Sequence, residues 1–400
     1  MKKADNKFKK SGLIVVIILS TIFGLSAGVV GELLTRVYIL ENNYNIPFFG
    51  EINFSDSNYN GSNLIIRDAR KVIVEQNTKV TETINSVNSS LIGVFKKKTL
   101  PTVNDKSMET DNKTVPKELN IDNYYRLNQE IGQGLIISSD GWIVTNSFIE
   151  EANPQNAIND YVVITKDKKV YNIENFVQDP ISSFSFIRVS GAKDLPVKQF
   201  AQDSEIKNGQ LVIALNWEGY NLLSSIIFRQ ENSEILKFSD IMTDELVLAN
   251  NLNEDFSSSI IFNLAGQVVG LVDRQEKIIP ISYLQSAIRS LFKNKDIKRP
   301  SLGVNYLDLS SLAAVKNNLP KGALIYKNIN GLDVIKDSPA DRAGLKAGDI
   351  ITFIDNIEID KDNSLNYIIQ NYLAGDKINI VYQRNGEIKE VEVILGEVKK

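Results

Sequence analysis

Short apolar runs separated by turn residues fill residues 131–295, and this pattern constrains the fold more than any other feature. Residues 134–147, for example, read as two apolar runs on either side of the turn at Asp140 and Gly141. Strands of this length with a turn about every 8–12 residues are typical of an all-β barrel or sandwich. Residues 282–293 then have the apolar spacing of a helix that follows the strands.

The 400 residues include no histidine and no cysteine. Histidine is the usual general base near neutral pH and the commonest metal ligand, so chemistry that needs either role is excluded for this chain acting alone. The lack of cysteine excludes disulfides, thiolate nucleophiles and cysteine-based metal sites. Only hard cations could bind, through oxygen ligands, and no spaced acidic loop indicates such a site, so we expect no metal and no cofactor. A net charge of −4 without a large basic tail gives no support to nucleic-acid binding.

The N-terminus has the pattern of a membrane anchor. Residues 1–12 carry five lysines and one aspartate, and residues 13–31 follow with 19 positions that bear no charge. A helix of that length spans about 28 Å, close to the thickness of the hydrocarbon layer. The pattern predicts a transmembrane helix at 13–31, with a cytoplasmic tail at 1–12 and the bulk of the chain outside the cell membrane. A cleaved signal peptide, with Ser26 to Gly28 as the cleavage region, and a buried core helix are the alternatives.

Three further segments follow the anchor. Residues 32–84 read as a tether and helical linker, and the strand-rich domain is expected to span 85–296. A compact unit then occupies residues 299–396. In this unit Ser338 is placed as the N-cap of a short helix, residues 364–373 have amphipathic helical spacing, and Asn385-Gly386 is a strong hairpin signal.

The C-terminal unit resembles the PDZ domain of the HtrA/Deg family of serine proteases. The stretch "DSPADRAGLKAGDIITFIDNIEI" (337–359) is similar to the S-P-A-x-x-A-G-L-x-x-G-D-x-I-x-x-I-(D/N)-G pattern of that family, with Asn356 where Gly is usual. Asn tolerates the same left-handed turn. Ser301, Leu302, Gly303 and Val304 resemble the loop that holds the terminal carboxylate of a bound peptide, which implies binding by strand addition to a sheet edge. The alternative is that Gly303 merely allows a bend.

The strand-rich region resembles the protease part of the same family. The stretches "GQGLIISSDGWIVTNSFIEE" (132–151), "DPISSFSFIRV" (179–189) and "DFSSSIIFNLAGQVVGL" (255–271) are similar to the segments that carry the catalytic His, Asp and Ser of the family. Ser257 keeps the nucleophile position, whereas Phe148 stands at the His position and Ser183 at the Asp position. The resemblance implies a mainly β fold: a chymotrypsin-like double β-barrel followed by a PDZ domain (a small β-barrel with two helices), preceded by one transmembrane helix.

The substitutions predict a pseudoprotease. A serine hydroxyl needs a neighbouring base, and both that base and the group that orients it are missing. In the family, one amide of the oxyanion hole belongs to a glycine two residues before the serine. Here that position is Asp255, whose carboxylate would add negative charge beside a developing oxyanion, and Ser258, Ser259 and Ile260 replace Gly, Gly and Pro.

Other bases for Ser257 receive little support from the sequence. A Ser–Lys pair needs a desolvated lysine, and Lys166, Lys168 and Lys169 lie together in what reads as a polar turn. Asp255 or Glu254 as the base of a different triad is the remaining option. Otherwise the serines 257–259 form a solvated turn.

Three functions remain open. The first is a membrane-anchored, inactive HtrA-like protein that binds peptide or protein C-termini or unfolded proteins in envelope quality control, forming homo- or hetero-oligomers, such as trimers, with HtrA-like relatives. The second is an active serine-type endopeptidase that uses Ser257 with a base other than histidine. The third is a structural PDZ scaffold.

Overall fold

The computed structural model describes residues 18–31, 44–46, 50–52, 77–98, 123–146, 158–230, 235–242, 244–313 and 321–398. The chain divides into two compact units, Met1–Gln76 and Asn77–Lys400. In the first unit, helix α1 covers residues 18–31, and strands β1 (Tyr44–Ile46) and β2 (Gly50–Ile52) pair as an antiparallel ladder.

The predicted membrane anchor falls only partly on described residues. Residues 18–31 are helical, while residues 13–17 and the predicted cytoplasmic tail lie outside the described part of the chain. Across the described residues, no helix reaches the length and hydrophobicity needed to cross a membrane.

The second unit begins with helix α2, over residues 77–88. Six strands then close into a first barrel in the order β3-β4-β5-β8-β7-β6. Most of these strands are buried on both faces, because one face fills the barrel interior and the other contributes to a larger core shared with the next barrel, whereas the first half of β7 is largely exposed. The strands are β3 Leu91–Lys96, β4 Gly132–Ile136, β5 Trp142–Asn146, β6 Tyr161–Thr165, β7 Val170–Gln178 and β8 Phe184–Val189.

Six more strands form a second closed barrel, in the order β10-β12-β15-β14-β13-β9. Helix α2 packs on it, since Thr83 Oγ1 donates to the carbonyl of Leu264 at 2.9 Å and Val87 is fully buried. The strands are β9 Leu211–Leu215, β10 Asn221–Gln230, β12 Glu245–Leu248, β13 Ile260–Asn263, β14 Val268–Val272 and β15 Ile278–Pro280.

Strand β10 is ten residues long and has no clear signal in the sequence. Its apolar residues come in adjacent pairs instead of alternating, and its register against β12 shifts between Ile226 and Phe228. A bulge of this kind changes which face a side chain occupies, so the period-2 pattern that identifies a strand is lost.

A second mixed domain follows the barrels after helix α3, Ser282–Asn294. Its main sheet has the order β11-β17-β18-β19-β21-β22, with β20 paired to β19, and it covers a separate apolar core. The elements are β11 Leu236–Phe238, β16 Pro300–Ser301, β17 Asn305–Asp308, β18 Ala323–Ile325, α4 Pro339–Arg342, β19 Ile350–Ile354, β20 Ile357–Glu358, α5 Leu365–Gln370, β21 Lys377–Arg384, β22 Glu387–Ile394 and β23 Gly396–Glu397.

Three local predictions are confirmed in this domain. Ser338 caps α4, accepting a hydrogen bond from the backbone N–H of Asp341 at 3.2 Å. Asn385 and Gly386 have φ of 53° and 84°, the left-handed values that a tight hairpin turn requires. The helix predicted at 364–373 is present but ends at Gln370.

Candidate functional site

Ser257 lies in the loop that leads from β12 into β13. A 3-10 turn over Glu254–Phe256 comes directly before it, and Ser258 follows with φ of 64°. The backbone N–H of Ser257 donates to the carbonyl of Glu254 at 3.0 Å. An oxyanion hole needs amides that are unengaged and aimed at one point, so a hole built on the amide of Ser257 is closed in this turn.

The hydroxyl of Ser257 has no hydrogen-bond partner within the described part of the chain. Asn146, at the end of β5, donates from Nδ2 to Ser258 Oγ at 3.2 Å, and it pairs across the sheet with Phe184. The fold therefore brings the segments leading to positions 148, 183 and 257 to one side of the barrels. Phe148 itself falls in 147–157, outside the described residues.

Two amides that the sequence analysis did not single out hold the Ser257 turn. Gln133 Nε2 donates to the carbonyl of Ser257 at 2.7 Å, while its Oε1 accepts from the backbone N–H of Trp217. Asn216 Nδ2 donates to the carbonyl of Asp255 at 2.8 Å. The only sequence signal for Gln133 was its place in the stretch 132–151, which is similar to the segment that carries the catalytic His of the family. Both contacts bind backbone carbonyls, so they fix the turn without activating a hydroxyl.

Ser183 lies in the turn between β7 and β8, where it lines a cavity of about 700 Å³ with Tyr283 and Arg299. No residue of the Ser257 turn lines that cavity. The carboxylate in this turn is that of Asp179, and its two oxygens accept hydrogen bonds from Arg299 at 2.9 and 2.5 Å. The Asp of this segment thus forms a buried ion pair with the start of the C-terminal domain.

The side chain of Lys166 is more buried than the sequence predicts. It is partly buried, donates to the carbonyl of Trp217, and lies 4.3 Å from the centroid of the Trp217 ring. Burial lowers the pKa of its ammonium group, and the nearby carboxylate of Glu130 partly offsets that shift. Lys166 does lie in the turn that the sequence predicts, but its burial was not predicted because Trp217, which covers it, comes from the other barrel. No hydrogen bond between Lys166 and Ser257 is present in the described residues.

The carboxyl group of Glu130 leads to a prediction about how the stability of the protein depends on pH. Burial raises the pKa of its carboxyl group, and the Glu218 carboxylate adds to the shift. Because the folded-state pKa lies above the unfolded-state value, the contribution of Glu130 to stability is fully present at low pH and is lost as the pH rises through the raised pKa. We expect the melting temperature of Glu130→Gln minus that of wild type to be larger at pH 7 than at pH 4. Thermal denaturation at both pH values measures this difference. A constant difference between the two pH values would contradict this.

The predicted carboxylate-binding loop lies between β16 and β17. Gly303 has φ of 85°, which only glycine adopts easily, and this turns the amides of Leu302, Gly303 and Val304 toward one point. The side chains of Leu302 and Val304 are fully buried in the domain core, so the loop presents its backbone N–H groups and not these side chains.

A carboxylate of the chain itself occupies this loop. Asp240 Oδ1 accepts from the backbone N–H groups of Leu302 at 2.8 Å and Gly303 at 3.0 Å, and Asp240 Oδ2 accepts from Ser301 Oγ at 2.5 Å. No local pattern indicated this contact, since the aspartate lies 62 residues before Leu302. No cluster of three metal-ligating side chains occurs in the part of the chain that the structure describes.

Family models identify both domains. The trypsin-like peptidase domain matches residues 132–271, and the PDZ domain matches residues 300–395. The first match covers the strands that carry positions 183 and 257, and the second covers the carboxylate-binding loop.

Two curated proteins are similar to this chain over most of its length. The probable periplasmic serine endoprotease DegP-like of Hahella chejuensis is 28% identical over 289 residues, which is 68% of this chain and 58% of the relative. The serine protease Do-like HtrA of Lactococcus lactis subsp. cremoris is 24% identical over 379 residues, covering 85% of this chain and 88% of the relative. The chain thus spans little more than half the length of the DegP-like relatives it matches.

A solved structure supports the same fold. The HtrA-type protease AlgW with decapeptide superposes with a TM-score of 0.51 at 19% identity, covering 80% of this chain and 98% of the other. At this identity the likeness shows the fold alone, which is a trypsin-like double barrel followed by a PDZ domain.

Proposed function

We propose that this HtrA-like chain, which joins a trypsin-like peptidase domain to a PDZ domain, is a pseudoprotease that binds the C-termini of peptides or unfolded proteins without cleaving them. The observation that carries the proposal is the absence of histidine from all 400 residues. A trypsin-like serine loses nearly all of its activity at neutral pH without a base, and histidine is the base of that fold.

The turn around Ser257 supports the loss of catalysis independently. The amide of Ser257 is bonded to Glu254, and Asp255 is exposed beside it with a negative charge. Loss of the triad costs on the order of 10⁶-fold in rate, and the oxyanion hole supplies much of the catalysis that remains. With triad and hole both altered, Ser257 is left as an ordinary hydroxyl.

Peptide binding is the activity that the PDZ domain supports. Its loop presents the backbone N–H groups of Leu302, Gly303 and Val304, and the side of β17 with which β11 pairs in this structure is the position for an added strand. These are the two requirements for recognition of a C-terminal peptide by strand addition. Ser301, Leu302, Gly303 and Val304 are the residues proposed to hold the carboxylate.

Location outside the cytoplasmic membrane completes the proposal. The support is the lysine-rich segment 1–12 and the uncharged run 13–31, together with relatives whose names describe periplasmic proteins. We propose a single-pass anchor there and assembly, as homo- or hetero-oligomers, with HtrA-like proteins. Extraction of membranes at alkaline pH tests the anchor: the full chain should stay in the pellet, and release into the supernatant would refute it.

The test of inactivity compares the full chain with Ser257→Ala. We expect no labelling of Ser257 by a fluorophosphonate probe and casein turnover equal to that of the alanine variant, because the chain has no histidine to accept the proton of the hydroxyl. A trypsin-fold protease with an intact triad, run in parallel, shows that the probe and the substrate work. Labelling or turnover that disappears in Ser257→Ala would refute the proposal.

That refuting outcome would establish the second candidate, an active serine endopeptidase. The observation that favours it is that one curated relative is named a probable serine endoprotease and another a serine protease. The third candidate, a structural scaffold, predicts that a ligand blocking the PDZ groove leaves every interaction of the chain unchanged.

A further inference from the structure

In the sequence, strand β11 lies between β10 and β12 of the second barrel. In the structure it pairs with the sheet of the PDZ domain. It runs antiparallel to β17, with Leu236 opposite Leu307, Lys237 opposite Tyr306 and Phe238 opposite Asn305. This edge is where an external peptide would add as a strand. Residues 235–241, which we term the internal strand segment, therefore occupy the groove that the proposed function requires.

The internal strand segment also fills the carboxylate-binding loop. In addition to the three hydrogen bonds of Asp240, Ser239 Oγ accepts from the backbone N–H of Val304 at 3.0 Å and from that of Gly303 at 3.2 Å. Ser239 and Asp240 are both buried. All three amides of the loop are thus bound to oxygens of this segment, as they would be to the carboxylate of a peptide.

The opposite wall of the groove contacts the same segment. Asn366 Nδ2 donates to the carbonyl of Ile241 at 3.0 Å, and Gln370 Nε2 donates to the carbonyl of Asp240 at 3.2 Å. Both amides project from α5. The internal strand segment is therefore held between β17 and α5, the position of a bound peptide in a strand-addition complex.

One side-chain contact indicates which type of ligand residue the groove favours. Lys237 Nζ lies 3.4 Å from Asp308 Oδ2, and both side chains are buried, at 7% and 2% exposure. Asp308 Oδ1 also accepts hydrogen bonds from the backbone N–H and the hydroxyl of Ser310, so the contact with Lys237 adds a cation to a carboxylate that is already hydrogen-bonded. A ligand with a cation at the position of Lys237 keeps this favourable contact with Asp308.

The register places that cation along a peptide. The backbone N–H of Ser239 donates to the carbonyl of Val304 at 3.0 Å, so Ser239 is the last residue paired before the carboxylate. A peptide that ends at the position of Ser239 puts its terminal carboxylate where Asp240 lies now. Its third residue from the end then takes the position of Lys237.

We propose that the internal strand segment is a built-in competitor of the PDZ groove, and that the ligand displacing it is a peptide with a free C-terminal carboxylate and a Lys or Arg third from its end. This inference rests on the proposed peptide-binding function and adds its regulation and its ligand class. A cavity of about 700 Å³, which Phe238, Asp240 and Ile241 help to line, gives the segment space into which it withdraws.

Competition between the internal strand segment and an external peptide determines the apparent affinity of the groove for that peptide. If the groove is open in only a fraction of molecules, the apparent dissociation constant rises in inverse proportion to that fraction. Removal of the internal carboxylate increases the open fraction, because Asp240 contributes hydrogen bonds to Ser301, Leu302 and Gly303. We expect Asp240→Ala to bind an external peptide at least tenfold more tightly than wild type.

A disulfide tests the occupancy of the groove directly. The chain has no cysteine, so Leu236→Cys with Leu307→Cys introduces the only two thiols. These positions are register partners, and paired Cα atoms in an antiparallel ladder lie about 4.5–5.5 Å apart, within disulfide range. The matched control is Leu236→Cys with Leu324→Cys, since Leu324 pairs with the far side of Leu307 and lies two strand spacings, about 10 Å, from Leu236.

The probe is a fluorescent peptide with the sequence of residues 231–239, which ends at Ser239 with a free carboxylate and has Lys third from its end. A C-terminally amidated copy and a copy with Glu in place of that Lys are the controls. Binding to the full chain is followed by fluorescence anisotropy before and after oxidation, and disulfide formation by alkylation of free thiols and mass.

We expect the Leu236–Leu307 cysteine pair to oxidise completely and the control pair to stay reduced. Oxidation should abolish binding of the free-carboxylate peptide, and reduction should restore it to the value before oxidation. Both control peptides should bind Asp240→Ala at least tenfold more weakly than the probe.

Each contradicting result would overturn a different part of the proposal. A cysteine pair that stays reduced, or peptide affinity unchanged by oxidation or by Asp240→Ala, would overturn the internal competitor while leaving peptide binding in place. Complete oxidation with no peptide bound to Asp240→Ala would instead overturn the proposed function and the displacement together. Equal binding of the Lys and Glu peptides would overturn the ligand class.

Discussion

Replacement of Arg299 by Met will lower the free energy of unfolding by about 3–5 kcal/mol. The guanidinium and the Asp179 carboxylate form two hydrogen bonds, and their side chains are 1% and 0% exposed. Arg299 Nη1 also donates to the carbonyl of Tyr283 at 2.8 Å and to Ser286 Oγ at 2.7 Å. Without the guanidinium, a buried carboxylate loses its counter-charge and two acceptors lose their donor.

The measurement is urea denaturation of the full chain, followed by tryptophan fluorescence. The matched control is the double variant Asp179→Leu with Arg299→Met, which removes both charges and should be more stable than the single variant, because no charge is left unpaired. A loss below 1 kcal/mol in Arg299→Met, or a double variant less stable than the single one, would contradict this account of the pair.

The second large effect is expected at Gly303. A Cβ on this residue would lie 2.4 Å from Ser338 Cβ and 2.8 Å from Ser338 Oγ, and the backbone has φ of 85°. Ser338 caps α4 and is 7% exposed, so it has little freedom to move away. We expect Gly303→Ala to cost about 2–5 kcal/mol, as the sum of left-handed strain and overpacking.

Gly331→Ala is the control for strain alone. Gly331 has φ of 76°, but a Cβ there meets nothing within 4 Å, so its cost should be about 1–2 kcal/mol. Because the Gly303 loop also holds Asp240, Gly303→Ala should in addition expose the internal strand segment to hydrogen exchange, whereas Gly331→Ala should not. Equal losses of stability in the two variants would show that the contact with Ser338 is unimportant.

Local signals in the sequence predicted local structure well. The strands of the first barrel, the cap at Ser338 and the hairpin at Asn385-Gly386 each depend on a few neighbouring residues, and the structure has them. Strand β10 was missed because its bulge breaks the alternation. Strand β11 was missed because its three residues are too few for any periodicity to emerge.

At the candidate site, too, local motifs could be predicted from the sequence and long-range contacts could not. The sequence identified the serine position and the carboxylate loop from motifs of consecutive residues. It did not indicate that Gln133 holds the Ser257 turn, that Trp217 covers Lys166, or that Asp179 pairs with Arg299. These partners lie 124, 51 and 120 residues apart, and no pattern within one segment records which distant side chain closes over it.

The sequence by itself therefore determined which chemistry is excluded. A chain without histidine lacks that base however it folds, and a glycine loop of the form Ser301–Val304 turns its amides inward because only glycine takes the required φ without strain. Only the tertiary structure decided what those amides bind. The closure of two barrels and a PDZ sheet brings Asp240 to a loop 62 residues away, where buried N–H groups must be satisfied by the nearest acceptor.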